Sequence, residues 1–210
     1  MPDTGTTLTT ILRRTMDMTV NEMLQKFNDE LLRTERPGIK DLIEFMEVGG
    51  FYVAPCSGAH HLAKESGLLE HSLNVLDIAR KLNKSLAAGI KDDTIVITAL
   101  LHDAGKMGDH GKFNYIENLL KDGKQSTAKP YVTNPSLLYI PHEVRSVMIA
   151  ERFICLYEDE EQAILWHNGL YGAFKYDIQS KETPLYMVLH FADLWASRVI
   201  EVKNEGQNDM

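Results

Sequence analysis

A histidine and an aspartate stand side by side at the end of one of the most apolar segments of the chain. Residues 94–101 are almost entirely apolar, and His102 and Asp103 follow directly. A buried carboxylate without a partner is strongly destabilising, so a pair of this kind at the end of a buried helix requires compensation. A bound metal ion supplies such compensation. The pair therefore indicates a candidate metal site.

Further candidate ligands lie before and after this pair, at His71, His142, His167 and Asp193. Three of them replace an apolar residue on an otherwise apolar helical stripe, which directs them towards the core. Taken singly, each histidine could also be a core residue that is hydrogen-bonded to the protein. Asp193 taken alone could form an ion pair with Arg198. As a set they would each need a separate protein partner, and this requirement favours a shared metal centre.

The donor types limit the choice of metal. Imidazole and carboxylate ligands without thiolates suit Fe, Mn, Zn, Co or Ni and argue against a structural zinc site. Six candidate ligands exceed the needs of one catalytic ion, whereas two ions bridged by one carboxylate would use all six. Because adjacent helical side chains point about 100° apart, Asp103, with its two oxygens, is the candidate bridge. Such a pair of ions activates water and neutralises charge on a phosphoryl group.

Two cations near these ligands are candidates for substrate contacts. Lys106 stands one turn after the His102–Asp103 pair, where it suits a phosphate contact or an interaction with a helix C-terminus. Arg145 lies one turn after His142, where it could contact an anionic substrate or could be a solvent-exposed surface residue. The remaining histidines are interpreted as loop residues or as partners of ligands: His60, His61, His110 and His190.

Composition excludes several classes of protein. The chain has 210 residues and is 44% hydrophobic and 25% charged, as in an ordinary soluble globular protein, and no apolar run reaches the ~20 residues of a membrane span. A net charge of -8 argues against coating extended nucleic acid, although bound divalent metals would still permit a phosphate substrate. With no signal-peptide pattern and only Cys56 and Cys155, neither in a CxxC pair, we expect a cytoplasmic protein without disulfides.

Apolar periodicity predicts an all-α fold. Helices are expected over about 16–34, 39–46, 68–83, 94–106, 113–121, 141–156, 158–167 and from 183 to about 200, with a loop at 51–67 and a polar loop up to 139. We expect one helical domain over residues 16–202. A mobile arm at 1–15 and a polar tail at 203–210 are expected to flank it.

The spacing of the candidate ligands resembles the H…HD…D pattern of the HD-domain superfamily of metal-dependent phosphohydrolases. The segments that carry it are GLLEHSL at 67–73, LLHDAGK at 100–106 and HFAD at 190–193. With His142 and His167, the chain looks like the extended, two-metal version. It is most similar to the HD domain of bacterial 3′–5′ exoribonucleases in which an oligonucleotide-binding module precedes that domain.

The resemblance implies a helical bundle with a metal site in its core. One divalent ion would bind His71, His102, Asp103 and Asp193, and a second would bind Asp103, His142 and His167. The implied function is hydrolysis of a phosphoester or phosphoanhydride bond of a small, nucleotide-like substrate by metal-activated water, with Asp103 and Lys106 in catalytic roles. The alternatives are a phosphodiesterase or 3′–5′ exonuclease on short RNA or DNA, and a non-catalytic nucleotide-binding module.

Overall fold

A computed structural model describes residues 18–172 and 176–202. The predicted arm at 1–15 and the predicted tail at 203–210 lie outside the described residues. Within the described part of the chain, none of the helices is both long enough and apolar enough to cross a membrane.

Seven α-helices dominate the described residues, and this confirms the predicted helical fold. They are α1 (Val20–Arg33), α2 (Ile39–Val48), α3 (Gly67–Leu86), α4 (Asp92–Leu101), α5 (His142–Ala150), α6 (Glu158–Trp166) and α7 (Pro184–Trp195). Short 3₁₀ turns cover Ala104–Met107 and Gly169–Tyr171, and a π-helical turn, Ala196–Ile200, continues α7.

Local capping explains where several of these helices begin. Thr19 forms a capping box with Glu22, in which each side chain accepts a hydrogen bond from the backbone of the other residue. Thr183 accepts a hydrogen bond from the Tyr186 amide at the start of α7, and Pro184 occupies the first turn, where its missing N–H costs nothing. These short-range signals are readable from the sequence.

The prediction of a helix at 113–121 is wrong, because this part of the chain forms small antiparallel ladders. Strand β1 (Gly108–Asp109) pairs with β2 (Lys112–Phe113), and β3 (Tyr115–Glu117) pairs with β4 (Tyr131–Thr133). Gly111, with a φ of 70°, helps the chain to turn between β1 and β2. The β4 segment lies far away in sequence, so local periodicity gives no sign of this pairing.

The helix predicted over 94–106 ends earlier, and the early end matters for the site. Helix α4 stops at Leu101, and the backbone at Asp103 departs from helical geometry, with φ -106° and ψ 10°. The chain then tightens into the 3₁₀ turn, where the Lys106 amide donates to the Asp103 carbonyl at 2.8 Å. Likewise, α5 ends at Ala150 and not near 156, and turns follow.

Helix α3 forms the centre of the bundle and packs against α4 and α7. Its first turns are buried on nearly every side, including polar residues such as His71 and Ser72. A buried ion pair between Arg36 and Glu160 connects the segment before α2 to α6. The bundle therefore surrounds the first turns of α3 with helix ends that carry polar side chains.

Candidate metal centre

Six predicted ligands converge from five helices. His71 lies in the first turns of α3, His102 and Asp103 follow α4, His142 begins α5, His167 caps α6, and Asp193 lies in α7. His71, His102, Asp103 and His167 are each at most 1% exposed. The structure thus brings all six together at one end of the core.

On one side of the cluster, the ligand atoms of four side chains lie close to one another. His71 Nε2 lies 3.2 Å from Asp193 Oδ1 and 3.5 Å from Asp103 Oδ2. His102 Nε2 lies 3.4 Å from the same Asp103 oxygen and 3.3 Å from His71 Nε2. Nitrogen lone pairs and carboxylate oxygens at these separations repel one another unless a proton or a metal ion lies between them.

On the other side, Asp103 presents its second oxygen to two more histidines. Asp103 Oδ1 lies 3.2 Å from His142 Nε2 and 3.4 Å from His167 Nε2. The amide nitrogen of Asn168 lies 3.1 Å from each of these two imidazole nitrogens. Each oxygen of the Asp103 carboxylate therefore serves a separate group of side chains.

The donor set fits a divalent cation. Asp103 Oδ1 is a buried atom without a hydrogen-bond donor among the described residues. Three groups of side chains around it keep their ligand atoms within 4.8 Å of one another: His71–His102–Asp103, His102–His167–Asp193 and Asp103–His142–His167. An acceptor without a donor, surrounded by imidazoles, is the arrangement that a metal ion completes.

Electrostatics keeps the two aspartates charged. Burial alone would raise the pKa of the Asp103 carboxyl, but neighbouring positive charge, above all the Lys106 ammonium, outweighs burial and holds that pKa well below its usual range. Burial likewise opposes ionisation of Asp193, but His71 and its neighbours keep the pKa of Asp193 low. Both carboxylates are therefore available as anionic ligands.

Backbone carbonyls fix two of the imidazole rings. His102 Nδ1 donates to the Ala99 carbonyl at 2.9 Å, and His167 Nδ1 donates to the Ile164 carbonyl at 2.7 Å. Because Nδ1 carries the proton in each ring, the lone pair of Nε2 faces the cluster. Both rings end a helix in the same way, with Nδ1 bonded three residues back.

Two carboxylates that were not among the predicted site residues hold the other two rings. His71 Nδ1 lies 2.9 and 3.1 Å from the two oxygens of Glu201, and His142 Nδ1 lies 3.1 Å from Glu143 Oε2. Glu143 is adjacent to a predicted ligand, which is a weak signal that could have been used. Glu201 is 130 residues away from His71 and gives no local signal.

Lys106 lies against the cluster. Its ammonium is 2.6 Å from Asp103 Oδ2, and its side chain is 15% exposed. It also lies 3.9 Å from the thiol of Cys56. The ammonium therefore faces Asp103 and the adjoining cavity, and a contact with a bound anion remains a prediction for this residue.

Arg145 is buried, and its contact with an anionic substrate remains a prediction. Its side chain is 3% exposed, so the interpretation as a solvated surface arginine is wrong. One guanidinium nitrogen donates to the Leu138 carbonyl at 2.9 Å and another lies 3.8 Å from Asp109 Oδ2. Arg145 does not line the cavity beside the cluster, so the structure does not bring it together with the other predicted site residues.

The remaining histidines divide between the site and the surface. His61 Nε2 lies 3.4 Å from the Cys56 thiol, and burial lowers the pKa of His61 to about 4. His190 Nδ1 donates to the His167 carbonyl at 2.7 Å, which agrees with a partner of a ligand. His110 is exposed and belongs to the turn between β1 and β2.

An open cavity of about 640 Å³ leads to the cluster. Asp193, Lys106 and Asn168 form part of its wall on the side of the candidate ligands. Arg198 and Tyr171 belong to the same wall, with the guanidinium 5.7 Å from the centre of the tyrosine ring. The volume is that of a site for a small molecule.

A family model of the HD domain matches residues 68–193, which is more than half of the chain and includes all six candidate ligands. No curated protein and no solved structure matches the chain significantly. HD domains bind divalent metals and are generally hydrolases. The match and the helical bundle around the His/Asp cluster agree, and the chain belongs to the HD domain family, within the superfamily of metal-dependent phosphohydrolases.

Proposed function

We propose that this protein hydrolyses a phosphoester or phosphoanhydride bond of a small, nucleotide-like substrate. One observation carries the proposal: Asp103 Oδ1 is buried without a hydrogen-bond donor while two imidazole nitrogens approach it. A merely structural cluster would be expected to satisfy such an atom with a donor, since an unmet buried acceptor costs about 1–3 kcal/mol. A functional cation at this point removes that cost.

The ligand assignment that we propose has two parts. His71, His102, Asp103 and Asp193 would hold one divalent ion, and Asp103, His142 and His167 would hold a second. Asp103 would bridge the two because its oxygens face different groups of histidines. The metal remains within the set of Fe, Mn, Zn, Co and Ni, because the donors are nitrogen and oxygen.

When bound, the ions supply a water of lowered pKa and positive charge for the phosphoryl oxygens. The chain's own residues provide the rest. Backbone acceptors hold the rings of His102 and His167 with Nε2 towards the cluster, so these ligands need no reorganisation. Lys106 Nζ, at the cavity wall, is placed to donate to a bound anion and to stabilise charge that develops on it.

The size and charge of the protein favour a small substrate over a polynucleotide. The cavity has a volume of about 640 Å³, and the net charge of the chain is -8. Tracking a phosphate backbone normally requires a basic surface. The resemblance to exoribonuclease HD domains that the sequence motifs suggest therefore does not extend to the substrate in our proposal.

Metal analysis on protein purified without a metal-affinity tag tests the proposal. We expect about two transition-metal ions per chain, about one in His142→Ala, and almost none in Asp103→Ala. The matched control is His110→Ala, because His110 is 71% exposed and lies outside the cluster. Hydrolysis of p-nitrophenyl phosphate, its bis-ester and nucleotides with Mn²⁺ then identifies the bond that is cleaved.

The outcomes separate the alternatives. One ion per chain, unchanged in His142→Ala, would reduce the centre to the ligands around His71. Preferential cleavage of the bis-ester would favour the phosphodiesterase reading over a monoesterase. Absence of bound metal in every form, even after incubation with Mn²⁺, Fe²⁺ or Zn²⁺, would overturn the catalytic proposal and leave a binding module.

A further inference from the structure

A carboxylate beyond the matched family region reaches into the centre of the molecule. Glu201 directly follows the π-helical turn and is 8% exposed. Its two oxygens lie 2.9 and 3.1 Å from His71 Nδ1, and the side-chain amide of Asn74 donates to one of them at 2.9 Å. Asn74 lies one turn after His71 on α3, so both partners of Glu201 come from the same helix.

The π-helical turn explains how Glu201 reaches this position. In a regular α-helix, a residue eight positions after Asp193 would be rotated by about 80° from it around the helix axis. A π-turn, with its i→i+5 hydrogen bonds, rotates less per residue and returns Glu201 towards the face that carries Asp193. Asp193 then contacts His71 Nε2 while Glu201 contacts Nδ1 of the same ring.

The contact fixes the tautomer of His71. An ionised carboxylate only accepts hydrogen bonds, so His71 Nδ1 must carry a proton and donate it. The side-chain amide of Asn74 donates to one oxygen of Glu201 at 2.9 Å, and a donor at this point stabilises the ionised carboxylate. Unlike His102 and His167, which donate to neutral carbonyls, His71 donates to a charged acceptor and becomes a more basic ligand.

We propose that Glu201 is the positioning residue for the metal ligand His71, so that the metal centre extends to the π-helical turn outside the matched residues 68–193. The inference rests on the metal site of the proposed function. Glu201 itself does not touch the reacting atoms. It acts through His71 by holding the ring with Nε2 towards the ion and by raising the basicity of that nitrogen.

The competing explanation is purely structural. In that case Glu201 would only attach the end of α7 to α3, and its removal would lower stability without changing the ring of His71. Two readouts separate these explanations: Mn²⁺ affinity measured by calorimetry on metal-stripped protein, and the tautomer of His71 measured by long-range ¹H–¹⁵N NMR on protein loaded with diamagnetic Zn²⁺. A thermal unfolding curve for each variant reports the structural contribution.

Glu201→Ala is expected to weaken Mn²⁺ binding by about 10- to 100-fold, the usual effect of losing such a partner, and to release the fixed tautomer of His71. Glu201→Gln retains an amide oxygen that can accept from His71, so it should keep the tautomer and lose less affinity. The matched control is Glu65→Gln, an exposed acid on the loop before α3, which should bind Mn²⁺ like the wild type.

Wild-type affinity and an unchanged His71 tautomer in folded Glu201→Ala would overturn the inference. If that variant does not fold, the comparison passes to Glu201→Gln, which retains an acceptor for His71 but loses the charge; wild-type affinity in this variant would equally overturn the inference. A wild-type protein that binds no Mn²⁺ would overturn it as well. A protein that binds Mn²⁺ but hydrolyses no phosphoester, with weaker binding in Glu201→Ala, would refute the proposed function and support the inference.

Discussion

Replacing Lys106 with methionine is expected to change metal affinity and hydrolysis in opposite directions. The Lys106 ammonium forms an ion pair with Asp103 Oδ2, and the same oxygen faces the imidazoles of His71 and His102. An ion that binds this oxygen must share it with the ammonium or displace it. Lys106→Met removes this competitor and, at the same time, removes the cation that is placed to contact a bound anion.

The contacts set the magnitude. A hydrogen bond between charged partners, as at 2.6 Å here, contributes about 1.5–3 kcal/mol, and each 1.4 kcal/mol corresponds to a tenfold change in affinity. We therefore expect Lys106→Met to bind Mn²⁺ roughly 10- to 100-fold more tightly. In the metal-free protein the Asp103 carboxylate loses its cation, and we expect a loss of about 3 kcal/mol in the free energy of unfolding. That loss lowers Tm by roughly 6–12 °C.

Hydrolysis should fall because the anion contact is lost, by about 100-fold in kcat/KM, as for the loss of one charge-stabilising donor. Calorimetric titration of metal-stripped protein measures the affinity. Thermal unfolding with and without Mn²⁺ measures the stability, and steady-state hydrolysis of p-nitrophenyl phosphate measures the activity. Lys121→Met, at an exposed lysine, is the control.

Two results would refute this reasoning. A folded Lys106→Met protein that binds Mn²⁺ with unchanged or lower affinity would show that the ammonium does not compete for Asp103. Unchanged kcat/KM with saturating metal would show that Lys106 does not contact the substrate.

Two further predictions concern the scaffold of the site. Gly105→Ala would place a Cβ 2.2 Å from the His142 carbonyl oxygen, so we expect a loss of about 1–3 kcal/mol in the free energy of unfolding. We also expect a displaced His142, which elemental analysis would detect as a lower metal content. A stable variant with full metal content would contradict this prediction. The hydrogen bond from Arg152 lowers the pKa of Asp109 despite partial burial. Its stabilising effect is therefore complete above the unfolded-state pKa of about 3.9 and is lost as the pH falls through the lower folded-state pKa. Asp109→Asn should lower the urea midpoint of metal-free protein at pH 7. Between pH 5 and pH 2 the urea midpoint of the variant should fall less than that of the wild type, and parallel pH profiles for the two proteins would exclude this contribution.

The helices that carry the site could be predicted from the sequence because their signals are local. Apolar residues repeat with helical spacing through α3 and α7, and the polar residues His71 and Asp193 interrupt those stripes. Such interruptions identify candidate ligands without any knowledge of the fold. The roles of these ligands remain predictions until the metal content is measured.

Errors arose where non-local contacts decided the structure. The segment at 113–121 has apolar residues compatible with a helix, but Tyr115–Glu117 pairs with Tyr131–Thr133 and forms a ladder. Arg145 lies near the start of a helix that could face solvent, yet its side chain is 3% exposed and lies 3.8 Å from Asp109 Oδ2. In both cases the partner lies more than a dozen residues away, beyond the range of local patterns.

The sequence by itself identified six candidate metal ligands, because donor residues on apolar stripes are expected to point towards the core. Tertiary structure alone decided how these side chains are placed relative to one another. Only the packing of helices α3 to α7 directs the two oxygens of Asp103 at different histidines and brings Glu201 to His71 across 130 residues. The residue types can be taken directly from the sequence, but the distances between atoms of separate helices depend on how those helices pack.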